Sequence, residues 1–168
     1  MEPMPLPLDG TLVGVVTVSD RCASGESADA TGPVIDTALR EAGATTLAAV
    51  VPDDIGRITE ALRSAIAAGA RAVITTGGTG IGPRDVTPEA TAPLLERELP
   101  GIPELLRQRD AARTPLVALS RGLAGITPAP QHVIIVNLPG SPAAVASAQQ
   151  VLVGIIAHAL IQLDGGDH

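Results

Sequence analysis

The sequence predicts an α/β fold: a three-layer, mostly parallel sheet with helices on both faces. Short apolar runs rich in β-branched residues, such as Leu12 to Ser19, Ala72 to Thr76 and Val133 to Leu138, are typical of strands covered on both faces. Segments with apolar residues at helical spacing lie between these runs. An alternation of strands and helices is the pattern of parallel α/β proteins.

The first half of the chain supplies two of these helices and a further strand. A helix is predicted over Pro33 to Ala42, followed by a strand over Thr45 to Val51. Asp53 or Asp54 then caps a helix whose apolar residues recur at helical spacing up to Gly69. This helix is the clearest amphipathic segment of the sequence.

The second half is less regular. Thr87 followed by proline predicts a helix N-cap, and Pro93 predicts a kink or a late helix start. A helix is expected over Ile102 to Ala112, whereas Thr114 to Gln131 fits either a hairpin or an irregular crossover. The last helix is predicted from Ser141 to about Leu163, with an apolar run that we expect to be too short to cross a bilayer.

Composition limits the function classes. The chain fits a single domain, 1–168, with residues 1–10 and 164–168 expected to be flexible. A net charge of −7 argues against nucleic acid or an anionic membrane as the main partner. The lone Cys22 excludes an internal disulfide framework and fits a reducing compartment. The N-terminus lacks a signal-peptide pattern, so we expect a soluble, cytoplasmic protein.

The segment Thr75 to Thr91, TTGGTGIGPRDVTPEAT, carries the strongest chemical signal. Its glycines allow positive φ and leave no side chain in the way of a ligand, so backbone N–H groups can converge on a phosphate. Asp85 then brings a hard oxygen ligand close to that phosphate. The segment therefore predicts a combined anion and metal site.

The amino-acid sequence excludes two better-known phosphate-binding loops. A Walker A loop needs a lysine, and the sequence contains none. A dinucleotide fingerprint that starts at Gly78 needs glycine at position 83, where Pro83 stands, and the segment follows the third predicted strand instead of the first. A nucleotide-dependent oxidoreductase is therefore disfavoured.

Unusual polar residues follow the carboxyl ends of the predicted parallel strands, and ligands bind at that edge of an open α/β sheet. Asp53 and Asp85 are the candidate Mg²⁺ ligands, although an acid at position 53 is also a common helix cap. Asn137 begins a segment, NLPGSP, that is either a plain turn and helix start or an anion site. Arg84 and Arg121 are weaker candidates for a phosphate clamp, and the histidines are assigned no chemistry.

These motifs resemble the molybdopterin adenylyltransferases of molybdenum cofactor biosynthesis, the MogA and MoaB group, which are related to the G domain of gephyrin. The resemblance spans nearly the whole chain. It rests on VSDR and SGES at 18–27, VPDD at 51–54, the glycine segment, PGIPELLR at 100–107, ALSR at 118–121 and NLPGSP at 137–142. It implies a MogA-like, molybdopterin-binding fold and a homotrimer.

The resemblance also implies a reaction: Mg²⁺-dependent transfer of AMP from ATP to the terminal phosphate of molybdopterin, with release of pyrophosphate. Asp53 and Asp85 match the two essential acids of the family. The matching ligand-binding residues are Ser19, Asp20, Ser24, Thr76, Gly77, Gly78, Thr79, Gly80, Thr87, Ser120, Asn137, Pro139, Gly140 and Ser141. The alternative is a non-catalytic molybdopterin carrier or scaffold, because the family includes such paralogues. Other proteins of the pathway are possible partners.

Overall fold

The computed structural model describes residues 6–166, whose strands form one mixed, six-stranded sheet. The strands are β1 (Leu12–Val18), β2 (Thr45–Val51), β3 (Ala72–Thr76), β4 (Arg97–Glu98), β5 (Ala124–Ile126) and β6 (Ile134–Leu138). Their spatial order is β2-β1-β3-β6-β5-β4. The first four strands in this order are parallel, β5 pairs antiparallel with β6, and β4 pairs antiparallel with β5. The mostly parallel α/β fold is therefore confirmed.

Helices cover both faces of the sheet. They are α1 (Asp20–Ala23), α2 (Gly32–Glu41), α3 (Ile55–Ala67), α4 (Thr87–Thr91), α5 (Gly101–Ala111) and α6 (Pro142–Leu163). Short 3-10 turns follow α4 at Ala92–Leu94 and α5 at Pro115–Leu119.

Two aliphatic cores form because side chains alternate across each strand. On one face, Val13 and Val15 of β1 pack in the same cluster as residues of α2, α5 and α6. On the other face, Val16 and Val18 pack with residues of α3. Gly14 points to α3, where an added Cβ would lie 2.9 Å from the Cβ of Ala65. The sheet and α3 therefore approach closely at that point.

The helix α6 has the bounds that the sequence predicted, but its apolar run is longer than expected. It has 22 residues, and by length and composition alone it could cross a membrane, so the expectation that its apolar run is too short is wrong. Its buried side chains, which include Leu152 and Ile156, belong to the core cluster against the sheet. One face of α6 therefore lies in the core of the domain.

The segment predicted as a hairpin or crossover contains a 3-10 turn and then β5, which pairs antiparallel with both β4 and β6. The strand β4 and the short helix α1 had no sequence prediction, because two and four residues are too few to show a period. Leu8 is 1% exposed, and its N–H donates to Ala42 O at the end of α2.

Candidate active site

The loops after β1 and β2 are joined by reciprocal hydrogen bonds between two aspartates. The N–H of Asp20 donates to Oδ2 of Asp53 at 3.0 Å, and the N–H of Asp53 donates to Oδ1 of Asp20 at 3.0 Å. Parallel pairing of the two strands brings both loops to the same edge of the sheet. Asp54, not Asp53, caps α3, since its Oδ1 accepts from the Arg57 N–H. Asp53 is therefore left for another role.

Arg84 connects the glycine segment to this pair. Its Nε and Nη2 donate to the two carboxylate oxygens of Asp20, each at 3.0 Å. The Arg84 hydrogen bond, followed by that from the Asp53 backbone, holds the pKa of the Asp20 carboxyl below its usual value. Three separate loops thus share one ionic cluster.

Asp53 is shifted in the opposite direction. Partial burial raises the pKa of its carboxyl, and the negative charges of Asp20 and Asp85 raise it further, against the lowering effect of the Asp20 N–H bond and of Arg84. Carboxylates crowded in this way favour a bound cation. A raised pKa produced by burial and like charges is also typical of functional sites.

The glycine segment makes a tight turn that only glycine allows. Gly77 and Gly78 have φ values of 97° and 68°. A side chain at Gly77 would run into the Val18 carbonyl, and one at Gly78 would run into the Thr87 hydroxyl and lie 3.0 Å from Oδ1 of Asp53. The turn therefore brings the backbone directly against Asp53.

Asp85 folds back under the same turn. Its Oδ2 accepts the Gly82 N–H at 2.9 Å, and a Cβ on Gly80 would lie 2.9 Å from the same oxygen. The N–H of Gly77 is also used within the protein, by Leu138 O. At least these two N–H groups of the turn are therefore unavailable to a phosphate. The turn offers fewer N–H groups to an anion than the sequence predicted.

Arg121 holds the turn from behind. Its Nε donates to Gly80 O at 2.7 Å, its Nη2 donates to Asp85 O at 2.9 Å, and its Nη1 pairs with the Glu89 carboxylate. This contact lowers the pKa of Glu89. The side chain therefore supports the backbone of the turn, and the predicted phosphate clamp at Arg121 is replaced by this structural role.

A groove of about 430 Å³ lies between the glycine turn, the 3-10 turn at Pro115–Leu119 and the start of α6. Eight of the predicted site residues line it: Gly78, Thr79, Gly80, Asp85, Ser120, Pro139, Gly140 and Ser141. Ser141 is the N-cap of α6, with its Oγ accepting the Ala144 N–H at 3.4 Å. The positive end of this helix thus faces the groove, as an anion site requires.

Three predicted binding residues have internal side chains instead. Thr76 and Thr87 are 0% exposed, and Asn137 is 3% exposed. The Thr76 hydroxyl bonds Pro139 O and the Thr31 hydroxyl, and the Thr87 hydroxyl bonds Gly77 O, so Thr87 does not cap α4. These side chains hold the loops in place, and ligand binding by these residues stays a prediction.

Asn137 uses both ends of its amide in the same way. Its Nδ2 donates to the hydroxyls of Thr75 and Thr91 at 3.0 and 3.1 Å, and its Oδ1 accepts the Leu123 N–H at 3.1 Å. These bonds satisfy a buried polar side chain at the end of β6. The structure thereby ties β6 to the strand and the helix that flank the glycine segment.

The two serines of the first loop are less central. Ser19 caps α1 through the Cys22 N–H, and the Ser24 hydroxyl bonds Arg21 O. Neither lies among the residues that line the groove.

Some residues of this region escaped the sequence analysis. Asp29 accepts from the Thr17 hydroxyl at 2.6 Å and from the N–H groups of Thr31 and Gly32, a pattern that the Asp-x-Thr-Gly-Pro helix start could have revealed. Leu116 and Leu119 line the groove with 69% and 49% exposure. They had no sequence signal, because apolar residues there fitted a core strand equally well.

The acids suit a hard cation only in part. Carboxylate oxygens are the ligands that Mg²⁺ prefers, and a cation would relieve the repulsion on Asp53. Within residues 6–166, however, no group of three or more acidic, histidine or cysteine side chains is placed to hold a metal by itself. Such a site fits Mg²⁺ that arrives with substrate phosphates and gains one or two protein carboxylates.

Fold and site together define an anion-binding α/β domain with paired aspartates beside a glycine turn. Residues 14–158 match the family model described as a probable molybdopterin binding domain. The chain therefore belongs to this family of molybdenum cofactor biosynthesis proteins.

Named relatives agree with this assignment. A molybdenum cofactor biosynthesis bifunctional protein of Synechococcus elongatus is 40% identical over 96% of this chain, and the chain spans 50% of that relative's length. A molybdopterin adenylyltransferase of Pyrococcus furiosus is 38% identical, with 88% of each chain covered. The crystal structure of a molybdopterin biosynthesis protein from Mycobacterium abscessus superposes with a TM-score of 0.85 at 41% identity, covering 92% of this chain and 97% of that one.

Proposed function

We propose that this protein transfers AMP from ATP to the terminal phosphate of molybdopterin and releases pyrophosphate. The observation that carries the proposal is the groove of about 430 Å³ that has the glycine turn on one side, the start of α6 on another and Asp85 at its margin. Relatives that are 36–38% identical to this chain over the aligned residues are named molybdopterin adenylyltransferases.

The transfer needs position and charge neutralisation more than a protein nucleophile. An oxygen of the molybdopterin phosphate attacks the α-phosphorus of ATP, and the bond from that phosphorus to the bridging oxygen breaks as pyrophosphate leaves. Gly78 and Gly80 allow the phosphates to approach the backbone, and the start of α6 at Ser141 faces their negative charge. Leu116 and Leu119 give the groove an apolar wall that fits a flat ring without aromatic stacking.

Asp53 and Asp85 are the residues that would hold Mg²⁺. The bound cation would neutralise the phosphates and stabilise charge on the departing pyrophosphate. Asp20 keeps Asp53 in place through the reciprocal backbone bonds, and Arg121 keeps Asp85 in place through the turn.

Pyrophosphate release from ATP in the presence of Mg²⁺, with and without molybdopterin, tests this function. We expect release only when molybdopterin is present. Asp85→Asn should lower the rate by on the order of 100-fold, because it removes a charge that acts on the reacting phosphates. The matched control is Asp54→Asn, which removes a nearby negative charge but retains the helix cap, since asparagine caps as well as aspartate. Its rate should stay near that of the unmodified protein.

The same assay decides against the alternative or in its favour. A molybdopterin carrier or scaffold would bind molybdopterin tightly and release no pyrophosphate. The placement of Asp53 and Asp85 beside one turn favours the enzyme, because a carrier has no evident use for two crowded carboxylates.

We further propose that the protein associates as a homotrimer through an apolar depression between α5 and α6. This depression, of about 760 Å³, is lined by residues that include Leu105, Val151 and Ile155. Gly154 lies in it with open space around the position of a Cβ. Gly154→Glu should therefore leave the fold intact but lower the mass measured by sedimentation equilibrium from that of a trimer to that of a monomer. An unmodified protein that sediments as a monomer would contradict the proposal.

A cytoplasmic location and contacts with other proteins of the pathway stay predictions from the sequence. Cell fractionation followed by immunodetection would test the first.

A further inference from the structure

Arg84, which lies in the glycine turn, has a different kind of partner from Arg121, which contacts the turn from outside. Arg84 bonds only side-chain carboxylate oxygens among its contacts in the structure, those of Asp20, in a two-pronged arrangement. One of these oxygens, Oδ1, also accepts the Asp53 N–H. The guanidinium thus lies where the negative charge of the two loops is concentrated.

The position is crowded with like charge. The carboxylates of Asp20 and Asp85 both act on Asp53, and Arg84 is the cation that counteracts them. The charges of Asp53 and Asp54 act in turn on Arg84. Removal of the guanidinium would leave these acids to repel one another, or to attract another cation.

The contact is also easy to exchange. The side chains of Arg84 and Asp20 are 67% and 41% exposed, and exposed ion pairs contribute little to stability because water competes with them. The guanidinium fork binds phosphate as well as carboxylate, with the same pair of donors. Arg84 directly precedes Asp85, which lines the groove. Its partner Asp20 is bonded to Asp53, whose Oδ1 lies 3.0 Å from the position of a Cβ on Gly78, another residue of the groove. The fork therefore lies in a cluster that borders the groove.

We propose that Arg84 is an exchangeable counter-ion, which neutralises Asp20 in the ligand-free protein and transfers to a nucleotide phosphate when the nucleotide arrives with its divalent cation. The inference rests on the proposed nucleotide-dependent function. It assigns Arg84 two opposite effects: the side chain opposes binding of a divalent cation alone, and it supports binding of the cation together with nucleotide.

The test measures the two affinities separately. Mn²⁺ alone is titrated by the electron paramagnetic resonance signal of the free ion, and Mg²⁺ with ATP is titrated by calorimetry. For Arg84→Gln we expect Mn²⁺ to bind about 3-fold or more tightly and Mg²⁺ with ATP to bind about 10-fold more weakly. The control is Arg21→Gln in α1, which removes a similarly exposed cation that pairs with Glu26. This variant should change neither affinity by more than about 2-fold.

Each result has a distinct meaning. Weaker binding of both ligands, or no change in either, would overturn the proposal, as would tighter Mn²⁺ binding in the Arg21 control. If Arg84→Gln unfolds, Arg84→Lys keeps the charge without the fork and should change both affinities in the same directions by smaller factors. If the unmodified protein fails to bind Mg²⁺ with ATP, the proposed function fails, whereas the Mn²⁺ titration still reports whether Arg84 competes with a cation.

Discussion

The buried and solvent-exposed sides of the glycine turn use opposite chemistry. On the buried side, Asn137 and the hydroxyls around it form a neutral network, with Thr75 and Thr91 at 0% exposure. On the exposed side, Asp20 and Arg84 form an ionic cluster that water reaches. The buried network therefore sets the shape of the site, whereas the exposed ionic cluster remains available to a ligand.

A neutral network suits the buried side because hydroxyls and amides lose less on leaving water than charges do, and each bond fixes a geometry. Charges suit the exposed side because their bonds can be exchanged at small cost. Arg121 lies between these extremes: its charge is half-exposed, but it bonds the backbone carbonyls of Gly80 and Asp85. The comparison predicts a graded series of effects.

The largest effect on stability should come from Asn137→Leu. The substitution removes the amide that bonds the Thr75 and Thr91 hydroxyls and the Leu123 N–H. The Thr75 hydroxyl and the Leu123 N–H lose this partner in a buried or partly buried place, whereas the Thr91 hydroxyl keeps its bond to Thr87 O. We expect the free energy of unfolding in urea to fall by about 2–5 kcal/mol. A loss well under 1 kcal/mol would mean that the buried network does not hold the strands together. Leu95→Ala, a partly buried core residue outside the network, gives a comparison for simple loss of packing.

An intermediate effect is expected for Arg121→Lys. A lysine retains the attraction to Glu89 but lacks the planar fork whose separate Nε and Nη2 bond the two carbonyls, so the turn that carries Asp85 should loosen. The rate of pyrophosphate release should fall about 10-fold, while the free energy of unfolding falls by only about 1 kcal/mol. Unchanged turnover in a folded variant would show that the turn keeps Asp85 in place without this contact. Arg107→Lys, at a side chain that bonds Ser120 O outside the turn, is a suitable control.

The sequence predicted the parts of this molecule whose residues act locally. The strand Thr45–Val51 and the helix that begins at Ser141 follow directly from β-branched runs and from the N-cap with proline, and the structure confirms both. The structure also places Asp53 close to the glycine turn, at the shared edge of the sheet, as predicted. These features depend on short-range patterns and on one rule of parallel topology.

The sequence could not predict which way each polar side chain faces. Asn137 lies at the end of β6 and Asp85 follows β3, and both carry oxygen ligands, yet Asn137 is buried and fully bonded whereas Asp85 lines the groove. That outcome depends on Thr91 and Leu123, which lie far away in the chain. The strands at the antiparallel edge were missed for a similar reason, since two and three residues gain their conformation from pairing alone.

The smallest effect is expected on the exposed side of the turn, in the pH dependence of the stability of Asp53→Asn. The pKa of Asp53 is raised in the folded protein by burial and by the charges of Asp20 and Asp85. The folded state therefore binds this proton more tightly than the unfolded state, whose value is 3.8. Stability contributed by the protonated form is present below pH 3.8 and is lost as the pH rises through the folded-state pKa.

Asp53→Asn removes this loss while Oδ1 can still accept the Asp20 N–H. We expect the variant to melt at a slightly higher temperature than the unmodified protein at pH 7, with the difference shrinking as the pH falls toward 4. Asp36→Asn, at a carboxyl whose pKa is lowered by the bonds from Thr46 and Arg40, should show the opposite trend. If Asp53→Asn instead lowers the melting temperature at pH 7, the Asp53 carboxylate stabilises the fold. Repulsion among the crowded carboxylates would then not destabilise the folded state. If the gain appears, the acids are retained despite their mutual repulsion, which is the pattern expected of residues kept for a ligand and not for the fold.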